Sequence, residues 1–293
     1  MHAGGLIKPR DEGRLTTARL RQNLHSPSFL VAWLLPYVVF LLLCLLYAYS
    51  FISVPSICII LSVCFAIVGF LFITVRTKGP LFLPLAVGIL VSVFTGTLFG
   101  LYTYDKYAVF PKFYANAQLY TNVVPSQPAA AVSDAGKIVF TTESYVSSAQ
   151  SAGFLTESGY TYCAAPVIDN NPAVMIEFWA VGMGCCDDTG RFWCDSAGDK
   201  SAHAGITVFD NNGFFDGSNF DVYQKAKEKA EATFKLISAQ EPMFIRFVRE
   251  DNLNMLSDYY NTRASLYLLV FCLLQLFGSL GMAFLLWRAP SIL

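Results

Sequence analysis

From Ser26 to Val75 the chain carries 50 consecutive residues without a single charged side chain. A helix needs about 20 apolar residues to cross a bilayer, so this stretch predicts two membrane-spanning helices joined by a short turn. We place them near Phe29–Ser50 and Ser56–Val75. Two more uncharged stretches, Leu81–Tyr104 and Ala264–Trp287, predict a third and a fourth span. The sequence therefore predicts a multipass membrane protein whose first partner is the lipid bilayer.

The charges of the chain are unevenly placed. The 20 basic and 21 acidic residues nearly cancel, but residues 105–263 hold 19 of the acids and only 12 of the bases. The other eight bases all fall on one side of the membrane if both termini are cytoplasmic, as the positive-inside rule requires. The predicted order is a cytoplasmic basic arm (1–28), three spans (29–104), an extracytoplasmic α+β domain (105–263), a fourth span (264–288) and a cytoplasmic tail (289–293). Plasma, endomembrane and organellar membranes all fit this order.

The predicted spans contain no Asp, Glu, Lys, Arg or His. Ion and proton pathways and haem sites in membranes usually need such groups, so no cofactor is expected and a proton-coupled or redox carrier is disfavoured. The acidic outer domain likewise disfavours nucleic acid as a partner.

Small residues recur every four positions in the third span, and the fourth span carries a similar row. Such rows let helix backbones approach closely in lipid. They predict packing of the third span on the fourth or the first, or else association with a second copy or another membrane protein. The residues are Gly88, Ser92, Gly96 and Gly100 in the third span, and Gln275, Ser279 and Ala283 in the fourth.

Four of the eight cysteines, Cys163, Cys185, Cys186 and Cys194, lie within 32 residues of the outer domain. In an oxidising compartment they predict two disulfides. Adjacent cysteines rarely bond each other, so Cys163 and Cys194 would each bond one of the other two, in an order that the sequence leaves open. One rival interpretation is a zinc site with His203 and Asp187 nearby, and another is a redox-active vicinal pair of cysteines.

The periodicity of the outer domain predicts a small antiparallel, disulfide-stapled sheet covered by one helix over about residues 220–237. The Pro- and Ala-containing stretch 107–132 predicts a tether, and residues 243–260 predict a helix leading into the fourth span. Several tyrosines, Tyr107 and Tyr260 among them, are expected at the outer membrane border, where amphipathic rings settle. The predicted strands are Lys137–Thr142, Tyr160–Ile168, Val174–Val181 and Ile206–Phe209.

The run Phe178–Cys186 carries two resemblances. Four spans with a double cysteine in a large loop before the last one resemble the topology of tetraspanins, which organise partner proteins, although tetraspanins have Cys-Cys-Gly where this chain has Cys185-Cys186-Asp187. Together with Tyr162–Pro166, Phe192–Cys194 and Ala202–Gly205, the run also resembles segments of uncharacterised multipass membrane proteins of dinoflagellate algae. That resemblance covers most of the outer domain and implies no activity.

The sequence contains no phosphate-binding loop, dinucleotide fingerprint or zincin helix, so no catalytic, cofactor-binding or metal residue is assigned. It favours a non-catalytic scaffold, adhesion or receptor-like subunit whose outer domain contacts a membrane or extracytoplasmic protein, possibly a second copy. One alternative is a lumenal enzyme, such as a thiol–disulfide enzyme that uses Cys185 and Cys186. Another is an accessory subunit of a channel or transporter.

Overall fold

The computed structural model describes residues 27–75, 81–170, 175–210, 213–215 and 219–288. The chain divides into two compact units, Met1–Tyr104 with Ala264–Leu293, and Asp105–Arg263. These bounds coincide with the domain limits drawn from the sequence. The predicted basic arm, up to residue 26, and the predicted tail, 289–293, lie outside the described residues.

Four described helical stretches are long and apolar enough to cross a membrane, as the sequence predicts, and they make the chain a membrane protein. They are Ser28–Ser50, Pro55–Thr74, Phe82–Asn116 and Glu250–Leu286. The helices that form them are α1 (Pro27–Ser50), α2 (Pro55–Thr74), α3 (Phe82–Thr103), α4 (Val109–Asn116) and α6 (Met255–Arg288). Pro55 stands in the first turn of α2, where its missing N–H breaks no helical bond.

The glycines of α3 pack against α1. A Cβ atom added to Gly96 would lie 3.1 Å from the Phe40 carbonyl oxygen, and one added to Gly100 would lie 2.6 Å from Tyr47 Cβ. The predicted close packing on the first span is therefore confirmed. The row is filled from within the chain, which leaves little of it for contact with a second copy.

The polar members of the two rows meet across α3 and α6. The Gln275 amide donates a hydrogen bond of 3.1 Å to Ser92 Oγ, and both side chains are buried. Ser279 and Ala283 are buried on the same helix as Gln275, and a Cβ on Gly88 would meet Pro36 of α1. Pairing of these polar groups removes the cost of leaving them unsatisfied in hydrocarbon.

The outer domain is built on one eight-stranded mixed sheet. Its order is β1-β2-β7-β8-β6-β5-β3, and β4 also pairs with β5. The β1–β2 and β6–β8 pairs are parallel, and the other pairs are antiparallel. The strands are β1 (Gln118–Val123), β2 (Ala135–Phe140), β3 (Tyr145–Val146), β4 (Ala152–Leu155), β5 (Thr161–Ile168), β6 (Ile176–Met183), β7 (Ala204–Thr207) and β8 (Ser238–Val248).

The prediction of a small antiparallel sheet is wrong, because it omits the short strands β3 and β4 and the two strands, β1 and β8, that form the parallel pairs. Strand β8 lies at the centre of the sheet, where residues 243–248 were expected to be helical. Its Phe244 and its Phe247 are buried in different clusters, so the strand shows little contrast between an apolar and a polar face. In the sequence, a strand that is buried on both faces is a continuous apolar run, and this pattern is difficult to distinguish from that of a buried helix.

The other strand with a parallel partner, β1, lies in the predicted tether. Residues 107–132 are instead ordered as α4, β1 and a short 3-10 helix, Ala129–Val132. The backbone N–H of Ala129 donates to the buried Glu177 carboxylate at 3.0 Å, which fixes that turn against β6. The tether prediction is therefore wrong as well, because tertiary contacts order a segment whose composition suggests a linker.

The two faces of the sheet carry different layers. On one face, helix α5 (Phe220–Phe234) packs its Tyr223, Ala226 and Ala230 on a cluster that contains Trp179 and Phe244. Further along that face, α4 and the start of α6 pack on β2, β7 and β8. On the other face, the cysteine loop and the 3-10 turn cover Phe140, Phe178 and Phe247. The predicted α+β class is thus present in a larger, mixed form.

Candidate functional site

The four outer cysteines form two disulfides, Cys163–Cys186 and Cys185–Cys194. The prediction that Cys163 and Cys194 each bond one of the adjacent pair is confirmed, and the structure supplies the connectivity. The sulfurs of Cys163, Cys185 and Cys194 lie close enough together to resemble a metal cluster. Because the bridges occupy these sulfurs, they are not thiolates, which zinc ligation and thiol exchange both require.

The two other residues considered for zinc take part in local contacts: Asp187 pairs with Arg191, and His203 contacts Ser144. The Nδ1 atom of His203 lies 3.3 Å from the Ser144 hydroxyl and 3.1 Å from the Ser144 carbonyl oxygen. The His203 side chain therefore contacts the loop before β3 and does not join the cysteines in a zinc site.

The cysteine loop is also fastened by ion pairs to the sheet and to α5. Asp195 accepts hydrogen bonds of 2.5 Å from Nε and Nη2 of Arg246 on β8, in the two-pronged geometry that guanidinium and carboxylate groups favour. Lys229 of α5 pairs with Asp188 and donates to the Gly153 carbonyl oxygen at 2.8 Å. The loop between β6 and β7 is thus anchored to two neighbouring elements.

Beside Arg246 the outer domain forms a partly open cavity of about 290 Å³, which we call the aromatic cavity. Its walls come from the segment after α3, from the end of β7, from the start of α5, from β8 and from the start of α6. The aromatic side chains that line it are Tyr107, Phe110, Tyr114, Phe209, Phe220, Tyr223 and Tyr260. Stacking fixes part of this wall, since the Phe110 and Tyr260 ring centroids lie 4.0 Å apart.

Charged groups also line the aromatic cavity. Asp105 is buried, and its two carboxylate oxygens accept the backbone N–H groups of Phe214 and Phe215 at 3.0 and 2.9 Å. It lies in a π-helical turn, Tyr104–Ala108, a rare conformation that often marks functional sites. The pKa of Tyr223 is raised to about 12 by burial, and the nearby Arg246 charge only partly offsets this.

Sequence reasoning does not assign the residues of the aromatic cavity to a site. It places Tyr107 and Tyr260 at the membrane border, and it misses strand β8, which carries Arg246. One sequence signal is present: Arg246 is the only charged residue between Pro242 and Val248, in an otherwise apolar run. A lone arginine in an apolar strand indicates a buried partner or a ligand.

Comparison with protein-family models, with curated proteins and with solved structures finds no match to this chain. The class of protein is therefore described by its fold and its cavity. The chain is a membrane protein with four apolar helices of spanning length and a separate, disulfide-linked mixed-sheet domain that contains the aromatic cavity.

Proposed function

We propose that this chain is a receptor-like multipass membrane protein whose outer domain binds a small molecule in the aromatic cavity. The cavity is the observation that carries the proposal. Ligand sites are usually concave, with apolar walls and a few convergent polar groups, and this cavity combines seven aromatic side chains with Arg246, Asp105 and Asn219. The Cys185–Cys194 disulfide supports the role, because Asp195 follows it directly and holds Arg246 in place, and a site held in shape loses less entropy when it binds.

The proposal places the outer domain outside the cytoplasm and both termini inside it. Three spans precede the domain and one follows it, so the domain and the termini lie on opposite sides. Eight bases flank the spans on the side assigned to the cytoplasm, in agreement with the positive-inside rule. Paired cysteines in the domain fit an oxidising compartment.

Contact with a protein partner, as a scaffold or adhesion subunit, is the second candidate function. Trp193 is 51% and Met183 53% exposed at the end of the sheet that carries the disulfides, and the Arg191 guanidinium lies 5.8 Å from the Trp193 ring centroid. Trp, Met and Arg are enriched in protein interfaces. This surface supports partner binding, whereas the cavity supports a small ligand.

Ligand-observed NMR with the full chain in lipid nanodiscs tests the leading proposal. A mixed library of neutral, anionic and cationic aromatic fragments is screened against the protein and against Leu256→Trp, which narrows the aromatic cavity. Met255→Trp is the matched control, because Met255 is exposed and does not line the cavity. We expect fragments that bind the protein and the control but not Leu256→Trp. Equal binding to all three proteins would contradict the proposal.

A further inference from the structure

The aromatic cavity holds several hydrogen-bond donors whose capacity is not used up within the described part of the chain. Arg246 donates one hydrogen bond from Nε and one from Nη2 to Asp195. A guanidinium has five N–H donors in all, so three of them are left. The hydroxyls of Tyr223 and Tyr260 line the cavity and make no hydrogen bond among the described residues. Tyr223 is only 7% exposed as a whole residue, and its side chain lines the cavity.

A fourth donor comes from Asn219. Its Oδ1 accepts the Tyr162 hydroxyl at 3.0 Å, which leaves the amide N–H groups to face the cavity that Asn219 lines. Donors that line a cavity bond to water when the cavity is empty, and a bound molecule that supplies acceptors can take the place of that water.

The carboxylate in the cavity wall, that of Asp105, already accepts two hydrogen bonds. Both carboxylate oxygens of Asp105 accept backbone N–H groups from the 213–215 loop. The Asp195 carboxylate is held by Arg246, and the Tyr114 hydroxyl donates to the Thr207 carbonyl oxygen at 2.9 Å. The spare capacity of the cavity is thus weighted toward donors, which selects a ligand rich in acceptors.

We propose that the aromatic cavity binds a small carboxylate with a planar apolar body, its oxygens held by Arg246, Tyr223, Tyr260 and Asn219. This inference rests on the proposed function and specifies the chemistry of its ligand. A carboxylate offers about four acceptor positions, one for each of these four side chains. Arg246 is suited to it because a guanidinium held in place by Asp195 keeps its remaining N–H groups oriented.

The volume and the apolar walls of the cavity indicate the size and shape of the apolar body of the ligand. A volume of about 290 Å³ equals the liquid volume of about ten water molecules, which fits one aromatic ring with a short side chain. Phe110, Phe209 and Phe220 present apolar surface on which such a ring can pack edge-on or offset.

The test uses the full chain in nanodiscs of zwitterionic phosphatidylcholine, so that no anionic lipid competes. Three probes share one phenylpropyl body: 3-phenylpropanoate, 3-phenylpropanol and 3-phenylpropylamine. Their dissociation constants are measured by ligand-observed NMR, with acetate as the probe that lacks the ring. We expect the carboxylate to bind at least about tenfold more tightly than the alcohol and the amine, because hydrogen bonds to a charged group are the strong ones.

Variants that remove single hydroxyls locate the site. Tyr223→Phe and Tyr260→Phe should each weaken the carboxylate by about tenfold and weaken the alcohol less, because a hydrogen bond to a neutral oxygen contributes less than one to a charged group. Tyr259→Phe is the matched control, because Tyr259 is exposed beside Tyr260 and does not line the cavity. It should leave all the dissociation constants as they are.

Two failures have different meanings. If the alcohol and the amine bind as tightly as the carboxylate, and Leu256→Trp abolishes their binding, the ligand class is wrong and the cavity remains a binding site. If no probe and no library fragment responds to Leu256→Trp, both the ligand class and the proposed function are overturned. Unchanged carboxylate binding in both tyrosine variants would also overturn the inference.

Discussion

At the scale of single residues, the sequence indicates which small side chains matter in the spans but not what they contact. The spacing of Gly88, Gly96 and Gly100 predicts a close helix approach, and the structure supplies α1 as the neighbour. The cavity residues behave differently. Tyr223 is found because it is buried with a spare hydroxyl, a property that depends on tertiary position and leaves no mark in the local sequence.

Gly100 gives a direct residue-scale prediction. A Cβ at this position would lie 2.8 Å from the Cys44 carbonyl oxygen, so Gly100→Ala should force α1 and α3 apart and destabilise the membrane unit by about 1–3 kcal/mol. Gly278→Ala is the control, because no atom of the described residues lies within 4 Å of its added Cβ. That variant should be neutral or slightly stabilising, since alanine is the better helix former. Thermal unfolding in detergent compares the two, and equal stabilities would contradict the packing.

Tyr223 provides a prediction on pH. Burial raises its pKa from 10.0 to about 12 in the folded domain, so the neutral phenol is the form that the fold favours. The stability from this difference is fully present below pH 10 and is lost as the pH rises through about 12. A pKa difference of this size between the folded and unfolded states corresponds to about 3 kcal/mol.

Ultraviolet titration of phenolate absorbance measures the effect. Tyr223→Phe should remove one component that titrates near pH 12. Tyr145→Phe, which alters a tyrosine 45% exposed outside the cavity, should leave that component in place. If Tyr223→Phe leaves the alkaline component unchanged, Tyr223 is not buried as described.

At the scale of elements, the sequence is informative where periodicity is simple. Strands β2, β5, β6 and β7 and helix α5 appear within a few residues of their predicted bounds. Strand β8 escapes prediction, because both of its faces are buried and its Ser238–Val248 run lacks alternation. Strand β1 depends on its parallel pairing with β2, a non-local interaction that local composition does not report.

The disulfides give an element-scale prediction. Replacing Cys163 and Cys186 by Ala opens a loop with a sequence separation of 23, and replacing Cys185 and Cys194 opens one of 9. Each double variant should lose about 3 kcal/mol of unfolding free energy, and the longer loop slightly more. Near-ultraviolet circular dichroism during thermal unfolding follows the loss, with Cys64→Ala, a free cysteine of α2, as control. No loss in either double variant would show that the cysteines are not bridged.

At the scale of the whole molecule, the account depends on where charge is placed along the chain. Four uncharged stretches of bilayer length determine which part of the chain can lie in lipid, and hydropathy finds them without any knowledge of tertiary contacts. The outer domain, by contrast, takes its form from a mixed sheet that pairs residues far apart in the chain, such as Lys137 of β2 with Ile206 of β7. For this reason the four apolar helices of spanning length could be predicted from the sequence and the cavity could not.

The central claim, that the disulfide-linked domain lies outside the cytoplasm, is tested most directly by glycosylation mapping in microsomes that translate the full chain. Asp199→Asn creates an Asn-Lys-Ser acceptor site on an exposed loop of the domain, and Arg14→Asn creates an Asn-Leu-Thr site in the amino-terminal arm. Only the lumenal side carries the transferase, so we predict that Asp199→Asn acquires a glycan removable by endoglycosidase and that Arg14→Asn acquires none. A glycan on Arg14→Asn, with none on Asp199→Asn, would invert the topology and contradict the account.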